Sequence, residues 1–159
     1  MCALPEHGFD TNEFQARLIR AQKMMQHHNL DALFLTTEPE IRYFTGFLTR
    51  FWESPTRPWY CIIPVDAKPV AIIPAIGNHL MKQSWLEDTR TWDAPDYEDD
   101  GIGLLADAIQ ELCPKGGRIG TRHDMESHLR MPLGDWAKLQ RQVQDCVFVT
   151  DYHILRDLR

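Results

Sequence analysis

Two β-prone runs, residues 59–65 (WYCIIPV) and 69–74 (PVAIIP), are separated only by Asp66-Ala67-Lys68. Turn residues between such runs read as a β-hairpin, which makes two neighbouring strands antiparallel. Every other apolar run in the chain is divided from the next by a helical segment, and strands joined through helices pair in parallel. A hairpin inserted into that alternation predicts an α/β fold with a mixed sheet of about six strands flanked by helices. At 159 residues the chain suits a single domain with a real core.

The helices carry their own start and stop signals. Asp10 or Thr11 can cap the first, Glu13 sits near its positive end, and Asn29 suits a left-handed stop. Phe14, Leu18, Ala21 and Met25 recur at helical spacing, whereas Arg17, Arg20 and Lys23 fall elsewhere. Residues 31–35 (DALFL) then read as a buried strand, 36–39 as a turn, and 40–44 as a short helix. A further helix is expected over 78–86, carrying Leu80, Met81, Trp85 and Leu86, followed by a short strand at 90–92. Asp99 or Asp100 caps a strong helix whose stripe is Ile102, Leu105, Ala106, Ile109, Leu112 and Cys113. Pro114-Lys115-Gly116-Gly117 ends it, and a strand follows at 118–121. The helix expected over 132–143 begins at Pro132, with Leu133, Trp136, Leu139 and Val143 inward. A last strand at 147–150 leads into a helical-looking exit, 151–159.

Composition removes several functions. A net charge of -6 disfavours nucleic acid as a partner, because phosphate binding needs a basic face. No run approaches the roughly 20 apolar residues of a membrane span, and the opening MCALPEHGFDTNEF lacks the features of a secretory signal. The four cysteines, Cys2, Cys61, Cys113 and Cys146, form no zinc pattern and read as small hydrophobes of a cytoplasmic protein.

Reactive chemistry is sparse. His27 and His28 diverge on a helix and cannot share a metal. His123 with Asp124, and Asp151 with His153, could each supply two ligands without a third nearby. The acidic run Asp93, Asp96, Glu98, Asp99, Asp100 lacks calcium-loop spacing. Ser54 and Ser84 have no triad partners, and Gly101-x-Gly103 does not continue into a phosphate loop. One segment stands out. Residues 49–58 place Arg50, Phe51, Trp52, Glu53 and Arg57 between proline turns, a composition suited to carboxylate or cation recognition and to interface anchoring.

Three strings, after an opening helix with Arg17, carry a resemblance. Residues 30–35 (LDALFL), 40–47 (EIRYFTGF) and 149–159 (VTDYHILRDLR) stand in the order found in the amino-terminal domain of the creatinase/prolidase/aminopeptidase P family. The second string resembles N-I-x-Y-L-T-G-F, with Glu40 where Asn is common; Gly46 permits its turn, and Tyr43, Phe44 and Phe47 anchor it. The third resembles the exit into the family's "pita-bread" catalytic domain. The resemblance covers the chain from about Phe9 to Arg159. It implies a three-layer, ribonuclease-H-like fold, no cofactor in this domain, and the chain's own C-terminal catalytic domain as partner after Arg159. In the family's peptidases that domain holds two divalent ions (Mn, Co or Zn) on five ligands, all lying beyond this sequence, while creatinase uses the same catalytic fold without metals. The resemblance further implies a homodimer in which the loop bearing Arg50, Phe51, Trp52 and Arg57 reaches the neighbouring subunit's active-site mouth. The parent would then be an Xaa-Pro dipeptidase or aminopeptidase. A creatinase-like amidinohydrolase, a lyase on the same fold and a free-standing interaction module remain as alternatives.

Overall fold

A computed structural model describes residues 8–54, 57–123, 125 and 127–159. Helix α1 (Thr11–His27) begins where the Asp10 carboxylate accepts the Glu13 N–H at 2.9 Å. It ends at Asn29, whose φ of 53° lets the Asn29 and Leu30 N–H groups turn back onto the carbonyls of Gln26 and Met25. Strand β1 (Ala32–Leu35), helix α2 (Glu38–Thr45), the hairpin β2 (Tyr60–Pro64) and β3 (Val70–Pro74), and the short α3 (Asn78–Met81) follow. After them come β4 (Asp88–Trp92), α4 (Ile102–Leu112), β5 (Arg118–Thr121), α5 (Leu133–Gln142), β6 (Val147–Thr150) and the exit turn α6 (Ile154–Asp157).

The six strands form one mixed sheet in the order β4-β3-β2-β1-β5-β6. Strand β2 runs antiparallel to both of its neighbours, and the other three pairings are parallel. Both faces are covered. Leu33, Leu35, Cys61, Ile63, Ala71 and Ile73 join one buried cluster with Leu18, Met25, Ile41 and Phe44 of α1 and α2. The alternate residues Ala32, Phe34, Tyr60, Ile62, Val70 and Ile72 join the other, with Ile102, Leu105, Ile109 and Leu139 of α4 and α5. Side chains alternate across a strand, so one continuous apolar run feeds both layers. The result is the mixed α/β sheet expected from the alternation of elements, in the three layers that the resemblance implies.

Several local expectations need correction. Glu38 and Pro39 open α2 instead of forming a turn before it, because proline is tolerated in a first helical turn. Helix α3 stops at Met81 and does not reach 86; the Ser84 hydroxyl donates to the Met81 carbonyl at 2.7 Å, competing with helix continuation. Leu133 is exposed, being the first residue of α5 and ahead of its inward stripe, with Pro132 at the cap position. Arg17, read as lying off the buried face, is itself buried. Its guanidinium donates to Glu13 and to the Tyr43 carbonyl, and it lies over the rings of Phe9, Phe14 and Tyr43. His28 is not simply solvated: its ring stacks on Tyr152 with centroids 4.7 Å apart.

Candidate functional site

Because only β2 is reversed, five strands deliver their C-terminal ends to one rim, together with the start of β2. Ligands of open α/β sheets gather at such rims. The loop singled out above leaves from here. Helix α2 closes on Gly46, whose φ of 73° puts it in the left-handed region, with its N–H returning to Arg42 at 2.8 Å. The Thr45 hydroxyl donates to the Ile41 carbonyl and accepts the Phe47 N–H, which drives the Phe47 ring into the core.

Beyond Leu48 the chain makes a 3-10 turn, Arg50–Glu53, capped by the Thr49 hydroxyl through the Phe51 N–H. This turn divides the predicted site residues. Trp52 points inward and is 9% exposed, packed against Phe47 and Trp59. Phe51 is 37% exposed and stacks on Trp59 at 6.3 Å. Arg50 is exposed, and Arg57 is half-buried with its guanidinium 5.9 Å from the Phe51 ring centroid. Pro55 and Thr56 lie outside the described residues. The platform beneath is tight, since a Cβ on Gly77 would come within 2.2 Å of the Trp59 Cζ3 atom. Arg57 also lines a groove of about 420 Å³ with Pro95, Asp96, Tyr97 and Asp100. Asp100 is held there by the Trp92 indole N–H at 3.1 Å, and Asp96 accepts the Glu98 and Asp99 N–H groups.

Arg130, which no sequence motif marked, binds this loop from the other side. Its guanidinium donates to the Arg57 carbonyl at 2.7 Å and to the Ser54 carbonyl, and lies 5.6 Å from the Trp52 ring centroid. Its own backbone N–H donates to the Thr36 hydroxyl at 2.9 Å. Burial holds the Arg130 guanidinium below the usual arginine range, opposed by the nearby Tyr60.

A second cluster sits where the chain leaves the sheet. Asp151, fully buried, accepts from Arg122 and from the Leu155 N–H, each at 3.3 Å. It therefore follows β6 and caps the exit turn. Glu40 is 5% exposed and meets Arg122 at 3.7 Å, Arg159 at 3.3 Å and the Thr37 hydroxyl. Desolvation pushes the Glu40 carboxyl up, opposed by Arg159, Arg122 and His128.

Other candidates recede. Asp99 accepts the Gly103 N–H at 2.9 Å and so caps α4 from outside, while Gly101 occupies the cap position itself. Burial pushes the Cys61 and Cys113 thiols up to about 12, which leaves them unreactive. Asp124 and Cys2 lie outside the described residues. Among the described residues no group of three or more His, Cys, Asp or Glu side chains is placed to hold a metal ion. No helix of the described residues is long and apolar enough to cross a membrane.

The Creatinase/Prolidase N-terminal domain family matches residues 17–159. The chain belongs to that family. Solved structures repeat its fold. The dipeptidase PepE of Mycobacterium ulcerans is 22% identical, with a TM-score of 0.69 over 95% of this chain and 38% of its own. A prolidase of Thermococcus sibiricus is 16% identical, with a TM-score of 0.74 over 92% of this chain and 36% of its own. The isolated creatinase/prolidase N-terminal domain of an X-Pro dipeptidase from Streptococcus pyogenes is 15% identical, with a TM-score of 0.65 over 85% of this chain and 92% of its own. This family member thus spans little more than a third of those first two enzymes. No curated protein matches its sequence.

Proposed function

We propose that this chain is the non-catalytic N-terminal domain of an Xaa-Pro dipeptidase or aminopeptidase, working beside a catalytic domain that follows Arg159. The family match over residues 17–159 carries the reading. The metal chemistry is assigned to the proposed following domain; among the described residues no group of three or more His, Cys, Asp or Glu side chains could hold an ion. There, two divalent ions would activate water for hydrolysis. This domain's part is recognition and assembly. Arg50, Phe51 and Arg57 form the outward surface of the loop, with Trp52 as its internal support. The groove beside them combines the Arg57 guanidinium with the Asp96 and Asp100 carboxylates, a lining suited to a short peptide bearing both charges. In a homodimer this surface would sit at the neighbouring subunit's active-site mouth.

Two assays test the reading. The natural protein, detected with an antibody against this chain, should run well above 18.5 kDa and hydrolyse an Xaa-Pro dipeptide with added manganese. A natural protein of 18.5 kDa without hydrolysis would instead favour the free-standing interaction module. Hydrolysis of an amidino substrate in place of the dipeptide would favour the creatinase-like alternative.

A further inference from the structure

We propose that Arg130 is the positioning residue of the recognition loop, setting how Phe51 and Arg57 are presented. The inference rests on the reading of that loop as a recognition surface, but its central claim concerns geometry and can be tested without any substrate.

The loop is held in part from within. Its 3-10 turn is closed by the Thr49 hydroxyl and by the Ser54 N–H donating to the Phe51 carbonyl at 3.1 Å. Trp52 anchors one side by burial, although its indole N–H has no partner among the described residues. Arg130 adds a tie on the far side, reaching the carbonyls of Ser54 and Arg57 with two different nitrogens. Those carbonyls stand at the end of the 3-10 turn and ahead of β2, so one planar group ties these two points together. A guanidinium can do this because its donors diverge in a fixed fork.

The base of the clamp is firm. Leu129 and Met131 pack against the cluster formed with α4 and α5, whereas Trp52 and Trp59 belong to the cluster on the opposite face. The Thr36 hydroxyl, buried at the end of β1, fixes the Arg130 backbone. Arg130 thus reaches round the end of the sheet from one helical layer to the other. Its charge is met by carbonyls and a ring face, with no carboxylate in ion-pair contact among the described residues. The Arg130 side chain therefore acts on the loop as a set of hydrogen-bond donors beneath Arg57.

Trypsin provides the readout. Arg50-Phe51 is a cleavable bond within the loop, while Arg57 precedes Pro58 and resists. In Arg130→Ala, cleavage after Arg50 should accelerate about tenfold or more relative to cleavage elsewhere in the chain, and amide exchange at Ser54 should rise with it. Arg130→Lys, able to reach only one carbonyl at a time, should fall between wild type and Arg130→Ala; it also serves if the alanine variant folds poorly. Arg90→Ala, which removes the Asp88 and Glu111 pairing on edge strand β4, is the control for general loosening. Cleavage after Arg50 that stays at the wild-type rate would overturn the proposal. So would uniform acceleration at all tryptic sites in step with a lowered Tm. In the intact parent enzyme, a raised KM with unchanged kcat in Arg130→Lys extends the positioning role to substrate. An unchanged KM alongside selective cleavage would remove the recognition reading and leave the clamp standing.

Discussion

At the exit from the sheet, Arg122 lies 3.3 Å from Asp151 and 3.7 Å from Glu40, and Arg159 adds a second cation 3.3 Å from Glu40. At the loop on the same rim, Arg130 meets two carbonyls and an indole ring, and Arg57 faces Phe51 across 5.9 Å. Both corners are built around arginine, but only the first balances it with buried carboxylates. A buried charge that is matched and hydrogen-bonded fastens one element to another. A partly buried guanidinium answered by dipoles and π faces ties its loop without a carboxylate partner among the described residues. The first corner is fastened by charge pairs, the second by carbonyls and rings.

The contrast can be broken most severely at Asp151. Asp151→Ala leaves Arg122 with a single, longer carboxylate contact among the described residues and strips the Leu155 N–H of its acceptor. Loss of one partner from a buried pair costs about 3–5 kcal/mol, read as a lowered denaturant midpoint with unchanged m. On the loop side, Gly77→Ala drives a Cβ into Trp59 and should cost about 1–3 kcal/mol by overpacking, with altered tryptophan fluorescence. A smaller effect, of opposite sign, is expected at Glu40. Its pKa is raised in the folded protein by desolvation, beyond what Arg159, Arg122 and His128 offset. The ionised form is therefore disfavoured on folding, so its contribution is fully present below the unfolded value near 4.5 and is lost as pH rises through the raised folded value. Glu40→Gln, which mimics the protonated acid, should match wild type at pH 4 and exceed it modestly at pH 7 in urea titrations. Smallest of all are Arg50→Ala and Arg57→Ala: stability should change by no more than about 0.5 kcal/mol, as for surface substitutions, while KM for an Xaa-Pro dipeptide should rise in the proposed parent enzyme. If both kinetic constants stay at wild-type values, the loop is not a recognition surface.

Much of this scaffold was legible because it is encoded locally. Asp10, Asn29 and Pro132 marked helix ends through backbone preferences that need no tertiary knowledge, and the hairpin followed from three turn residues between two β-prone runs. The loop at 49–58 was visible as a compositional oddity. Its internal division was not, because whether Trp52 or Phe51 turns inward depends on where Trp59 and Phe47 stand. Arg17 and Arg130 escaped for a related reason. Long cationic side chains read as solvated until rings and carbonyls from distant segments close over them, and the partners of Arg130 lie 73 and 76 residues away. Glu40 and Arg159, 119 residues apart, could not have been paired by any spacing rule.

The exit turn is tied down at several points. The Tyr43 hydroxyl donates to the Leu158 carbonyl at 2.8 Å, Arg118 donates to the Tyr152 hydroxyl at 2.6 Å, and Ile154 and Leu155 are buried. In mechanical language this is a clamped beam end. Polypeptide joined after Arg159, native or appended, would inherit a launch angle fixed by the sheet, and its swivelling would begin only past the last clamped residue. A reporter fused there through a rigid helical spacer would tumble with the domain, turning the C-terminus into a pointer whose direction reads the orientation of the whole fold.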